Sequence, residues 1–349
     1  MLLTQYKNLT NDTILMINNH NVRSNVFTVM NAAIALLALS LNALVITVFM
    51  RQKLLLRSVS NRILLSQSIG DFLTGTVLAL HVTLLETLEV HTCLRVVSEV
   101  ITTLLVNAAV LNMLGIAIDR YIGTFYALRY KDIMTKQRTR NLILVIWLLS
   151  ALFSSMQFLW LYQVMDGMTQ NENRTIALIE AGYSATSIAL FMVVPAIVLF
   201  FLFPRIFLEI RRILYNTPRL SNCSQTYFYQ QFRICNLFMI MFFTFACLSV
   251  PYYAIRILLD LQQLGVNVKF DLGRTVREIV YVMKNLSTVS NPLVYVMCNK
   301  IFRAAMWKEF EKLSVRIHLD QIWQSIHNTT FGMLMPEFIE KIDMKPAAV

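Results

Sequence analysis

Asp119-Arg120-Tyr121 ends a long apolar stretch, and Asn291-Pro292-Leu293-Val294-Tyr295 closes the last such stretch of the chain. An Asp beside an Arg at the edge of a hydrocarbon segment is costly unless it is paired or functional. A proline inside an apolar helix removes an amide donor and frees a carbonyl. Each motif alone is a weak signal, but their order and the apolar segments between them make the pair specific.

Working outward, the chain has 349 residues, 56% hydrophobic and only 15% charged, a composition that excludes an ordinary water-soluble domain. A bilayer core about 30 Å thick takes roughly 20 apolar residues per helix. Windows of that size fall near 26–50, 60–85, 95–118, 141–163, 181–204, 234–259 and 275–298. The expected fold is therefore an all-α membrane protein, a bundle of seven transmembrane helices. Four parts are expected: an extracellular segment 1–25, the seven-helix domain 26–298, a membrane-surface amphipathic helix 299–313, and a cytoplasmic tail 314–349. The amphipathic helix is read from Phe302, Met306, Phe310 and Leu313 on one face and Lys300, Arg303, Lys308 and Lys312 on others.

Residues 1–25 are polar and show no cleavable leader, so the first span is expected to act as its own insertion signal. Arg51, Lys53 and Arg57, then Arg129, Lys131, Lys136, Arg138 and Arg140, then Arg205, Arg211, Arg212, Arg219 and Arg233 collect on alternate loops. Glu86, Glu89, Asp166 and Glu172 lie on the others. The positive-inside rule places the N-terminus outside and the tail in the cytoplasm. The net charge of +11 sits beside cytoplasmic span ends, where anionic lipid accounts for it and nucleic acid is not needed. Of the glycosylation sequons, Asn8, Asn11 and Asn173 fall outside, and Asn222 and Asn328 fall inside. The five cysteines, Cys93, Cys223, Cys235, Cys247 and Cys298, leave only Cys93 near the outer surface, so no extracellular disulfide is expected. Neither CxxC nor HxxxH spacing occurs, and no metal-based catalysis is expected.

With these residues in place the chain resembles the class A, rhodopsin-like G-protein-coupled receptors over roughly residues 26 to 313. Asn42 marks the first span, Asp71 the second, Trp147 the fourth, and Pro195, Pro251 and Pro292 the fifth to seventh. Phe125-Tyr126-Ala127-Leu128-Arg129-Tyr130, with Ile133-Met134-Thr135, further resembles the second inner loop of melanocortin receptors. The resemblance implies a plasma-membrane receptor that binds an extracellular ligand and activates heterotrimeric G proteins, with arrestin as a further partner and no enzymatic activity. It assigns the cytoplasmic switch to Asp119, Arg120, Tyr121, Asn291, Pro292 and Tyr295. It assigns a polar core, which holds sodium in the family, to Asn42, Asp71, Ser287 and Asn291.

Several positions depart from the family pattern. Ala109 stands where a serine ligand to sodium is usual, Gln231 where many relatives carry an acid that clasps the Arg of the third span, Phe203 for a tyrosine, and Ser249 for a tryptophan. The cysteine that staples the second outer loop is absent. Counting from the landmarks gives an expected ligand pocket of Glu99, Thr102, Ser187, Tyr252, Tyr253, Arg256, Tyr281 and Lys284. Thr102 replaces the aspartate of amine receptors. Lys284 and Arg256 among few acids favour an anionic ligand or a peptide with an acidic anchor. The alternatives are an opsin and a seven-helix transporter or membrane enzyme. A retinal-binding opsin would use Lys284, but that lysine lies eight residues before Pro292 where opsins have seven, a rotation of about 100°.

Overall fold

A computed structural model describes residues 25–85, 92–160, 170–216, 222–266, 273–298, 302–309 and 311–312. Seven long helices carry the structure: α1 (Asn25–Arg51), α2 (Val59–Leu80), α3 (Thr92–Phe125), α4 (Lys136–Ser155), α5 (Gln170–Ile188 and Val194–Asn216), α6 (Asn222–Gln263) and α7 (Arg274–Cys298). The halves of α5 are joined by a wider π-helical turn, Ala189–Val193, in which the amide of Val194 reaches the carbonyl of Ala189. Pro195 follows at once. Its missing amide and its ring are incompatible with a regular preceding turn, and one extra residue per turn relieves the clash. Pro204, Pro251 and Pro292 lie inside α5, α6 and α7.

α3 is the axis of the bundle, packing on α2, α4, α5 and α6, while α7 closes the ring against α1, α2 and α6. Close approach of α1 and α2 depends on Gly75, where a Cβ would stand 3.0 Å from the Ala38 Cβ and 3.3 Å from the Leu39 amide nitrogen. Phe27, Ile34, Ala35, Ala38 and Leu78 form a core with Val282 and Val289 of α7. By contrast Leu144, Leu148, Leu152, Phe200 and Phe201 of α4 and α5 are exposed, as expected of surfaces that face lipid.

Among the described residues six helices are long and apolar enough to cross a membrane, and α7 is not one of them. The reason is its inward face: Asn285, Ser287, Thr288, Ser290 and Asn291 are all buried. Their hydroxyls and amide nitrogens donate to neighbouring helices or to their own backbone, so α7 is held by the bundle more than by lipid.

Helix ends differ from the hydropathy windows. The stretches between the apolar windows, 164–180 and 205–233, are largely helical, since α5 runs from Gln170 to Asn216 and α6 begins at Asn222. Hydropathy measures the length that lipid needs, whereas a helix continues into water when tertiary contacts hold it, as Glu180 of α5 does with Arg256 of α6 at 2.9 Å. Between α3 and α4 the chain makes a short 3₁₀ turn, Ala127–Arg129, and a one-turn helix, Tyr130–Ile133. Thr135 then caps α4 by accepting the Arg138 amide at 3.3 Å.

Contacts divide the chain into one compact unit, Met1–Asn299, and a second, Lys300–Val349. In the second unit residues 302–309 and 311–312 are helical, Trp307 is exposed, and Lys312 pairs with Glu309 at 2.9 Å. The N-terminal sequons Asn8 and Asn11, the Asn328 sequon, Phe310, Leu313 and the tail lie outside the described residues. Asn173 and Asn222 fall in the first turns of α5 and α6, with side chains outside the description.

Candidate functional site

At the inner end of α3, Asp119 and Arg120 are buried, 0% and 4% exposed. Arg120 forms an ion pair with Asp119, its Nε donating at 3.1 Å. Two groups unmarked in the sequence complete the cluster. The Ser60 hydroxyl of α2 donates to Asp119 and accepts from Arg120. The Tyr130 hydroxyl, on the one-turn helix, donates to the other Asp119 oxygen at 2.7 Å. A carboxylate bonded by a guanidinium and two hydroxyls is compensated for burial, and its pairing keeps Arg120 turned into the bundle. Tyr121 does not join this cluster. It is half-buried and packs on Phe125, ring centroids 4.5 Å apart. Phe203 is buried near Phe242, without the hydroxyl that a tyrosine would bring. Gln231 is helical in α6, with its side chain outside the description.

Deeper in the bundle Asp71 is 4% exposed. Asn291 donates to it at 3.0 Å, and Gln67, one turn earlier on α2, donates at 3.4–3.5 Å. The other two expected members of the polar core have different partners. Asn42 donates to the carbonyls of Ala38 at 2.9 Å and Thr288 at 3.3 Å, tying α1 to α7. The Ser287 hydroxyl donates to the Lys284 carbonyl at 2.6 Å. The direct Asp71 contacts expected of Asn42 and Ser287 are thus replaced by one from Gln67, because an asparagine on α1 reaches the α7 backbone first and a helical serine readily bonds one turn back. Below this level the hydroxyl of Tyr295 donates to Asn61 at 3.2 Å, and Trp147 donates to Ser66 at 2.9 Å. Tyr295 is therefore tied to α2.

A cavity of about 30 Å³, room for about one water molecule, rises from Asp71 and Asn291 past Ala109, Ser249 and Ser287 to Thr102, Tyr253 and Lys284. The Thr102 hydroxyl is occupied by the Ser98 carbonyl at 2.8 Å. The Lys284 ammonium lies over the rings of Tyr252 and Tyr281, 4.4 and 5.3 Å from their centroids, a cation–π arrangement. Ser187 is half-buried on α5 and does not line this cavity.

The outer cluster corrects one premise of the sequence reading, that the outer cations have few acids near them. Arg256 meets three: Glu180 at 2.9 Å, Asp260 at 3.4 Å and Glu99 at 3.9 Å. Asp260 follows Arg256 by one helical turn and was legible as an i,i+4 pair. Glu180 is not legible, because it precedes the apolar window 181–204 while the helix that carries it begins at Gln170. Ser60 and Tyr130 carry no sequence signal either, since their roles arise only when α2 and the inner turn converge on α3. Gln67, one turn before Asp71, was legible in the same way as Asp260.

Comparison with known proteins follows this geometry. Adenosine receptor A2b of Gallus gallus is 23% identical over 316 residues, 84% of this chain and 90% of that protein. Adenosine receptor A2b of Canis lupus familiaris is 23% identical over 238 residues, 63% and 69%. Melanocortin receptor 3 of Rattus norvegicus is 52% identical over 40 residues, 12% of each chain. The family description "7 transmembrane receptor (rhodopsin family)" matches residues 41–295, a range that contains the inner switch, the polar core and the outer cluster. The chain belongs to the rhodopsin family of seven-transmembrane receptors.

Proposed function

We propose that this receptor is set in its resting state by the Asp119–Arg120 cluster and signals by opening the cytoplasmic face around Arg120 to a heterotrimeric G protein. The observation that carries this reading is the burial of Arg120 against an acid that is itself clamped from α2 and from the inner turn. When Arg120 is released, its rigid fork of donors becomes available to a partner's backbone. The N-terminus lies outside the plasma membrane and the tail inside it, following the cation bias of the loops. Arrestin is a second partner for the same opened face. Glycans at Asn8, Asn11 and Asn173 belong to this orientation.

The ligand enters from the outer half, where Lys284 lies against two tyrosines and Arg256 lies among three acids. That arrangement presents positive charge at depth and excess negative charge nearer the rim. It favours a peptide with an acidic anchor, or an anionic small molecule, over a monoamine. A nucleoside is the second reading, supported by the extended similarity to receptors named for adenosine. The experiment is a panel of acidic peptides, organic anions, anionic lipids and adenosine, applied to cells and read as cyclic AMP, calcium and arrestin recruitment. Arg120→Ala should abolish the G-protein responses when these are normalised to the receptor present at the cell surface. Lys284→Gln should weaken an acidic agonist about tenfold, roughly one charge-assisted hydrogen bond. Full responses in Arg120→Ala cells would sink the switch, and an agonist indifferent to Lys284→Gln would sink the acidic anchor.

A further inference from the structure

The resemblance implies sodium beside Asp71, and the donors around that carboxylate test the fit. Two features suit a small hard cation: the buried Asp71 carboxylate, and an Asn291 Oδ1 left without a hydrogen bond among the described residues. Two do not. Ala109 lines the same cavity with a methyl group where an oxygen ligand would be required. Lys284 lines it as well, which places a basic side chain on the space that sodium would enter.

The helix places these groups in order. Lys284 and Asn291 are seven residues apart, nearly two full turns, so both project from one face of α7 at a separation of about 10 Å along its axis. Ser287 and Thr288 fill the turn between them and also line the cavity. Asp71 at one end has only amide donors, from Asn291 and Gln67. Lys284 at the other end rests on aromatic faces, with no carboxylate within ion-pair distance among the described residues. One negative and one positive charge therefore share a cavity of about 30 Å³ without touching. With both ionised the cavity is neutral. A sodium ion would make it net positive at low local dielectric, whereas in a bundle without the lysine the same ion would neutralise Asp71.

We propose that the Lys284 ammonium is the resident cation of the Asp71 cavity and that it excludes sodium from this receptor. Charge balance that other members of the family are expected to take from the medium is here built into α7. The ligand-free stability of the receptor is consequently indifferent to sodium.

The test is thermal unfolding of the purified, ligand-free receptor in lipid nanodiscs, in sodium chloride against N-methylglucamine chloride at equal ionic strength. It involves neither agonist nor G protein, so its outcome is separable from that of the signalling assays. The wild-type midpoint should be the same in both salts, and Lys284→Arg should behave like it. Lys284→Gln should gain a sodium-specific rise of about 2–5 °C, the shift expected of an ion bound well above its dissociation constant. Adding Ala109→Ser should enlarge that rise, and adding Asp71→Asn should remove it. Lys284→Met serves if the glutamine variant does not fold. A sodium-specific rise in the wild type that Asp71→Asn removes would overturn the proposal. So would folded Lys284→Gln and Lys284→Met proteins that remain indifferent to sodium.

Discussion

Two charge clusters on α3, at Asp119 near its inner end and Glu99 near its outer end, are built to different ratios. At the inner end one acid meets one guanidinium, both are buried, and two hydroxyls occupy the remaining acceptor positions. At the outer end one guanidinium meets three acids at 2.9, 3.4 and 3.9 Å, and the Glu99 side chain is 45% exposed. The first is a closed set in which each charge is compensated. The second is unbalanced and partly wet. A buried pair is costly to break and weakly stabilising to keep, which fits the role proposed for the inner cluster, a bias between two states.

The largest effect should come from removing the one cation of the outer cluster. Arg256→Ala leaves Glu180, Asp260 and Glu99 facing one another and should cost about 2 kcal/mol, less than stripping one partner from a fully buried pair because solvent reaches part of the cluster. Unfolding midpoints and surface expression measure it, and a variant as stable as wild type would show that the acids do not depend on Arg256. At the inner end Tyr130→Phe removes the 2.7 Å bond to Asp119 and should raise ligand-free signalling about fivefold, equivalent to roughly 1 kcal/mol of resting-state bias. Stability should change little, and an unchanged basal signal would mean that the Tyr130 bond persists in the active state. Gln231→Glu supplies the missing clasp and should lower basal signalling by a similar factor. A higher signal in that variant would place the α6 acid outside the resting state. Glu99→Gln should be the smallest, within about 0.5 kcal/mol in stability because solvent screens an exposed partner at 3.9 Å. A large loss there would erase the distinction drawn between the two ends.

The inner switch was more legible than the outer pocket, for a physical reason. Asp119 and Arg120 are adjacent in the chain, and Asn291 announces its tie to Asp71 through the proline that follows it. Their meaning survives without coordinates because lipid makes an unexplained polar group conspicuous. The outer cluster joins three helices, and nothing in residues 99, 180 and 256 taken separately reports that they converge. Counting from the landmarks found Glu99 and Arg256 and missed Glu180, since the apolar window was taken to mark the helix end and α5 begins above it.

The sequence by itself determined the number of helices, the family and the inner polar landmarks, because burying uncompensated charge in hydrocarbon is expensive enough to constrain composition residue by residue. Only the tertiary structure decided who pairs with whom between elements: Ser60 and Tyr130 with Asp119, Glu99 and Glu180 with Arg256, and Lys284 with the ring of Tyr252. Such pairings act over a few ångströms between separate elements of the chain, and they are fixed by how the bundle packs rather than by any local pattern.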